Sequence, residues 1–109
     1  MKRLLKPLPN MVLIPMRLRW LNLALDDLNK IAEYISRDNP DAARRMVRRL
    51  WKSARVLTSQ PDMGRPGRVH GTRELVVVKT PFVVPYRVVG SEIQILRVLH
   101  GARSWPNSL

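Results

Sequence analysis

The chain has no cysteine among its 109 residues. That excludes a disulfide framework and a thiolate metal site, and it suits a reducing compartment, so a cytoplasmic location is the expectation. Histidine is nearly absent as well. His70 and His100 are the only two, and a multi-histidine metal centre needs more than one chain of this kind can supply. No metal and no cofactor are expected. Aromatic residues make up 6%, which leaves Leu, Val and Ile to fill the core. No apolar run approaches the roughly 18 residues of a membrane-spanning helix. Also missing are an HExxH motif and a glycine-rich phosphate loop ahead of a helix. Acids are few: 8 against 20 lysines and arginines, for a formal net charge of +12.

That surplus is the strongest global property of the chain. It favours a polyanionic partner: a nucleic acid, an acidic protein segment or an anionic membrane face. The length suits one domain. The first stretch, MKRLLKPLPNMVLIP, has basic residues near its start. Lys6, Pro7, Pro9 and Pro15 interrupt any signal-like apolar core, and no small-residue cleavage site follows. Residues 1–15 therefore read as an extension outside the fold, with Met16 as an alternative start. Residues 16–109 read as the domain.

Periodicity orders the rest. Arg17 to Trp20 alternates polar and apolar residues as a short strand does. Leu25, Leu28, Ile31 and Ile35 recur at helical spacing, which predicts a helix over Leu23–Arg37 with Asn22 as its cap and Asp26 and Asp27 in its first turn. Asn39-Pro40-Asp41 joins a cap, a first-position proline and an early acid, and it opens a second helix running to about Ser59. Ala43, Val47, Leu50, Ala54 and Leu57 form its apolar stripe. Arg44, Arg45, Arg48, Arg49, Lys52 and Arg55 cover its other side, as a solvated face or as an anion-binding stripe. Residues 61–72, PDMGRPGRVHGT, form a loop rich in Gly, Pro and Arg. Three strand-like runs follow, Arg73–Lys79, Phe82–Val89 and Glu92–Leu99, separated by gaps short enough for hairpins. Pro85 lies inside the middle run, where it cannot donate a ladder hydrogen bond; a bulge or an unpaired edge is required there. The order is β-α-α-β-β-β, an α+β fold ending in a three-strand meander.

The candidate chemistry clusters near the C-terminus and in the arginine-rich loop. RNA cleavage needs proton-transfer groups and cations to stabilise a phosphorane. His100, Glu74 and Tyr86 can transfer protons, and Arg73, Arg87, Arg97 and Arg103 can supply charge. Strand alternation opposes that grouping, because Tyr86 and Arg87 point to opposite faces. Glu74 can equally pair with a nearby arginine. Arg65, Arg68 and Arg73 flank a loop stiffened by Pro66, a frame able to present guanidinium groups to phosphate or carboxylate.

RWLNLALDDLNKIAEYI, NPDAARRMV, GRPGRVHGTREL, FVVPYRV and ILRVLHGARSWP, in that order over residues 19–106, resemble the ParE/RelE toxin superfamily of bacterial toxin–antitoxin modules. The resemblance implies a two-helix hairpin packed on a twisted antiparallel sheet. It implies a cytoplasmic antitoxin partner with an acidic C-terminal segment, operator DNA reached only via that antitoxin, and no membrane. Two activities are known in the superfamily. ParE-like members poison DNA gyrase by binding, and RelE-like members cut messenger RNA on the ribosome. The position matching the RelE strand arginine is Val83 here. In the tail register His100 is kept, Gly101 replaces an arginine and Trp105 replaces a tyrosine, so the chain looks closer to ParE. The expectation is a binding toxin directed at gyrase, with Arg65, Arg68, Arg73, Arg87, Arg97, Arg103 and Trp105 contacting target or antitoxin. The alternatives are a ribosome-dependent endoribonuclease using Arg73, His100 and Arg103, or a family member with weak or lost activity.

Overall fold

The computed structural model describes residues 16–109. The expectation for residues 1–15 lies outside the described residues. The elements run β1 (Arg17–Trp20), α1 (Asn22–Ser36), α2 (Pro40–Val56), β2 (Arg65–Pro66), β3 (Arg73–Val76), β4 (Phe82–Val89), β5 (Glu92–Ile95) and β6 (Leu99–His100).

The second helix begins as its sequence dictates. The Asn39 side chain accepts the Ala42 N–H at 3.0 Å, Pro40 opens the first turn and Asp41 lies within it. It ends earlier than expected. Leu57, Thr58 and Ser59 donate to carbonyls three residues back, so the last stretch tightens into turns before Pro61. The first helix departs more. The Leu21 N–H is still bound to Ile95 O at 3.0 Å, so the chain leaves β1 and enters the helix at once. Leu21 is the cap residue, without a side-chain cap bond, and no acid lies in the first turn. Asn22 is therefore helical rather than capping. Asp26 and Asp27 sit too far along to complement the helix dipole. The helix is also rotated from the predicted stripe. Ala24 and Leu28 face the core, while Leu25 is exposed.

The sheet order is β1-β5-β4-β3-β2, with β6 also paired to β4. The predicted meander is β3-β4-β5, antiparallel throughout. Its neighbour β1 is parallel to β5, so the sheet is mixed. A parallel neighbour needs a long crossover, which the helical hairpin and the meander provide. The register aligns Trp20 with Ile95, Ile95 with Tyr86 and Val84 with Leu75. All therefore project to one face, where Leu28, Leu50, Ala54 and Leu57 of the helical layer meet them in one buried cluster.

Two strands are shorter than the sequence predicts. The run Arg73–Lys79 stops at Val76, and Lys79 adopts a left-handed conformation (φ 65°) in the turn to β4. The run Glu92–Leu99 is broken. Ile95 pairs with Tyr86 and Leu99 with Val83, so residues 96–98 oppose only Val84 and Pro85. Leu96 N–H donates to Pro85 O at 2.9 Å. The partner strand bulges where the proline has no N–H to offer, and its extra length buries both Leu96 and Val98.

Candidate functional site

The arginine-rich loop is held by two buried side chains. Glu74, on β3, is 2% exposed. Its Oε1 accepts from Arg65 Nε and Nη2 at 3.2 and 3.0 Å, and its Oε2 accepts the Arg68 backbone N–H at 2.9 Å. Glu74 is thus the clasp of the loop, the pairing reading of its sequence. Tyr86 is fully buried. Its hydroxyl donates to Pro61 O at 2.7 Å and accepts the Gly64 N–H at 2.9 Å. Gly64 lies against that ring so closely that a Cβ there would sit 2.6 Å from Tyr86 Cε1. Arg73 completes the frame by donating to Gly64 O at 2.7 Å and to Asp62 O at 3.3 Å.

Burial pushes the Tyr86 phenol up from its ordinary value, against the Gly64 hydrogen bond and Arg73, which pull it down; Asp62 adds to the rise. The sign follows from linkage. The unfolded phenol ionises near 10 and the folded one later, so the contribution of Tyr86 to stability is full below about 10 and is lost as pH rises through the folded value. In a Tyr34→Phe background only Tyr86 reports by phenolate absorbance. Its ionisation should lag behind that of the urea-unfolded chain and coincide with loss of the fold. Coincident titration of folded and unfolded chains would contradict this burial.

The remaining candidates fall into separate places. Arg97 is taken up by Asp27 through two hydrogen bonds of 2.7 and 2.9 Å. Arg87 is exposed and donates to Gln94 Oε1 at 2.7 Å. Arg73 and Arg87 border one shallow hollow, beside Pro61 and Thr72. His100, Arg103 and Trp105 border another, against α1. Arg73 aligns with Tyr86, and Phe82 with His100. Four residues of β4 therefore separate the two, about 13 Å along the strand. The His100 carbonyl accepts the Trp105 indole N–H at 3.1 Å, and its Nδ1 accepts the Ala102 N–H at 3.2 Å. The Arg68 guanidinium lies 3.5 Å from the centre of the Trp105 ring. The tail is thus folded back and tied to the loop by a cation–π contact. Val83 is buried at 5% exposure.

One feature escaped the sequence reading. A groove of about 470 Å³ opens between α1, α2, the start of β4 and the tail. Ile31, Tyr34, Ile35, Met46 and Phe82 give it apolar walls, and Lys30 and Arg103 stand at its rim. Tyr34 is 68% exposed. Its only sequence signal was a large aromatic standing off the predicted apolar stripe of its helix. Among the described residues no cluster of His, Cys, Asp and Glu is arranged to hold a metal ion, and no helix is long and apolar enough to cross a membrane.

Comparison with known proteins gives consistent likenesses. Residues 18–105 match the model of the ParE toxin of the type II toxin–antitoxin system parDE. The chain is 43% identical over 93 residues to Y4kP, a candidate toxin of Sinorhizobium fredii, covering 85% of this chain and 96% of that one. It is 42% identical over 84 residues to toxin RelE2 of Caulobacter vibrioides, covering 77% and 93%. Among solved structures, the chromosomal ParDE toxin–antitoxin system of P. aeruginosa aligns with a TM-score of 0.70 and 36% identity, over 76% of this chain and 92% of that one. The toxin–antitoxin complex RelBE2 of Mycobacterium tuberculosis aligns with a TM-score of 0.59 and 25% identity, over 80% and 99%.

Proposed function

The chain belongs to the ParE toxin family and is a toxin of a type II toxin–antitoxin system; from that premise we propose that it arrests growth by binding DNA gyrase and that a cognate antitoxin with an acidic segment neutralises it. The observation that carries the binding mode is the separation of the would-be nuclease residues. Arg73 lies opposite Tyr86 in the middle of β4, and His100 opposite Phe82 at its start, with Arg103 beside His100. General acid–base catalysis needs its groups within hydrogen-bond reach of one reacting centre. Arg73 is also engaged with two loop carbonyls, and the indole N–H of Trp105 is a hydrogen-bond donor only, given to the His100 carbonyl.

The apolar groove with its cationic rim supports the antitoxin half of the reading. A segment that folds on binding needs apolar anchors to offset its ordering entropy, and acids to meet Lys30 and Arg103. Solved relatives that include ParDE and RelBE2 assemblies agree with such a partner. The exposed cations Arg87 and Arg103, with Arg68 and the Trp105 ring it covers, are the remaining candidates for contact with the target. The likeness to toxin RelE2 keeps ribosome-dependent cleavage as the second reading. The experiment that divides the two sets purified toxin against gyrase supercoiling and against ribosome-bound message.

A further inference from the structure

The outer face of α2 carries six cations: Arg44, Arg45, Arg48, Arg49, Lys52 and Arg55, all exposed. At 100° per residue they fall within an arc of about 140°, on the side turned away from buried Ala43, Leu50 and Ala54. Among the described residues only Arg44 has an ion-pair partner, Asp41. The rest of the chain has few acids to offer. Asp27, Asp62, Glu74 and Glu92 pair with other arginines, and residues 1–15 contain neither Asp nor Glu. Apart from Asp41, and Glu33 bordering the same hollow as Arg44 and Arg48, this face has little counter-charge of its own, and Arg45, Arg49, Lys52 and Arg55 stand away from both.

We infer that the α2 face binds the phosphate backbone of duplex DNA, without reading sequence. From Arg44 to Arg55 the cations span about 16 Å of helix, the axial rise of roughly five successive phosphates of one DNA strand. Five of the six are arginines, whose planar fork suits phosphate oxygens. A single-stranded ligand would need aromatic platforms for its bases. The one aromatic at the edge of this face, Trp51, is packed on Trp20 with ring centres 4.7 Å apart. An acidic protein segment would need apolar anchors; on this face Val56 and the edge of Trp51 are the half-exposed ones, whereas the groove beside Tyr34 supplies a continuous apolar wall. The two surfaces are therefore separate. The toxin can hold an antitoxin in the groove and still add phosphate contacts of its own, which goes beyond DNA being reached through the antitoxin alone. The inference does not depend on gyrase being the target.

The test uses the full chain and a short fluorescent DNA duplex of mixed sequence, followed by anisotropy over a salt series. Five unpaired cations predict a slope of log affinity against log salt of about −4 to −5. Replacing Arg45, Arg49 and Lys52 together by glutamine should lower the slope to about −2 and weaken binding roughly 100-fold at low salt. The control replaces Arg17, Arg19 and Lys79 by glutamine, and it should change affinity less than about threefold, because exposed charges away from the contact are screened. All six side chains are exposed, so both variants should melt with the parent; Arg49→Gln alone should still reduce the slope by about 0.9. Unchanged binding by the triple α2 variant would overturn the inference. So would equal losses in the control, which would mean diffuse net charge, or tighter binding of single-stranded RNA of the same length.

Discussion

Replacing Asp27 by alanine should destabilise the fold by about 2–4 kcal/mol, because it removes one partner of a largely buried ion pair. The Asp27 carboxylate accepts from Arg97 Nε at 2.7 Å, Arg97 Nη2 at 2.9 Å and the Val98 backbone N–H at 3.0 Å. The two side chains are 12% and 19% exposed, so solvent screens the pair weakly. The hydrogen bond to Asp27 is the leading reason the Arg97 guanidinium is held even more firmly in its charged form. These three bonds fasten α1 to the bulge at residues 96–98, where Pro85 on the opposite strand offers no N–H. Loss of the carboxylate strands a guanidinium and orphans an amide together. In urea the unfolding midpoint should fall accordingly, and the melting temperature by roughly 10–25 °C. An Asp27→Leu/Arg97→Leu double variant should recover much of the loss, since apolar replacement of a buried pair is often neutral. An Asp27→Ala chain within about 0.5 kcal/mol of the parent, the range of an ordinary surface change, would contradict this role.

Antitoxin affinity should fall roughly 100-fold, about 2.7 kcal/mol, in Tyr34→Glu. Tyr34 is 68% exposed in the free toxin, so the fold has little to lose. In the bound state its ring would cover the apolar groove beside Ile31 and Ile35, where aromatic anchors carry much of an interface's energy. A carboxylate there removes that anchor and repels an acidic partner held by Lys30 and Arg103. Calorimetry and dissociation kinetics with the cognate antitoxin should show the change mainly in the off-rate. Tyr34→Phe keeps the ring and should stay within about threefold. A Tyr34→Glu toxin bound as tightly as the parent would move the antitoxin elsewhere.

Much of this molecule was legible before any coordinates, for local reasons. Asn39-Pro40-Asp41 starts α2 because a cap, a fixed φ and an early acid act within one turn. The run FVVPYRVV, β-branched and aromatic between turn residues, matches β4 residue for residue. What failed depended on distant partners. Asn22 had the chemistry of a cap, but Leu21 is tied to Ile95 on another strand, and that tie decided where the helix begins. Asp27 was assigned to a helix dipole; its partner lies 70 residues away. The parallel pairing of β1 with β5 leaves no trace in either strand's own pattern. Pro85 did announce a break, and the break lies in the strand opposite it. The arginines were visible as candidates, but not their division: Arg65 and Arg97 are committed to carboxylates, while Arg87 and Arg103 stay exposed. The groove is built from α1, α2, the start of β4, β6 and the tail, so no single stretch of sequence could show it.

The central claim is that this toxin acts by binding. Its most direct test adds purified toxin, free of antitoxin, to gyrase supercoiling plasmid DNA and, in parallel, to ribosomes carrying message. A companion variant changes His100, the proton-transfer group of the alternative nuclease set, to alanine. The account predicts that the parent inhibits supercoiling or traps cleaved DNA and leaves the message intact. It also predicts that the variant, having lost no catalytic group, keeps most of that inhibition. Cuts in the message at the ribosomal A site, lost roughly 100-fold or more in the variant as removal of an acid–base group would require, with gyrase unaffected, would contradict it.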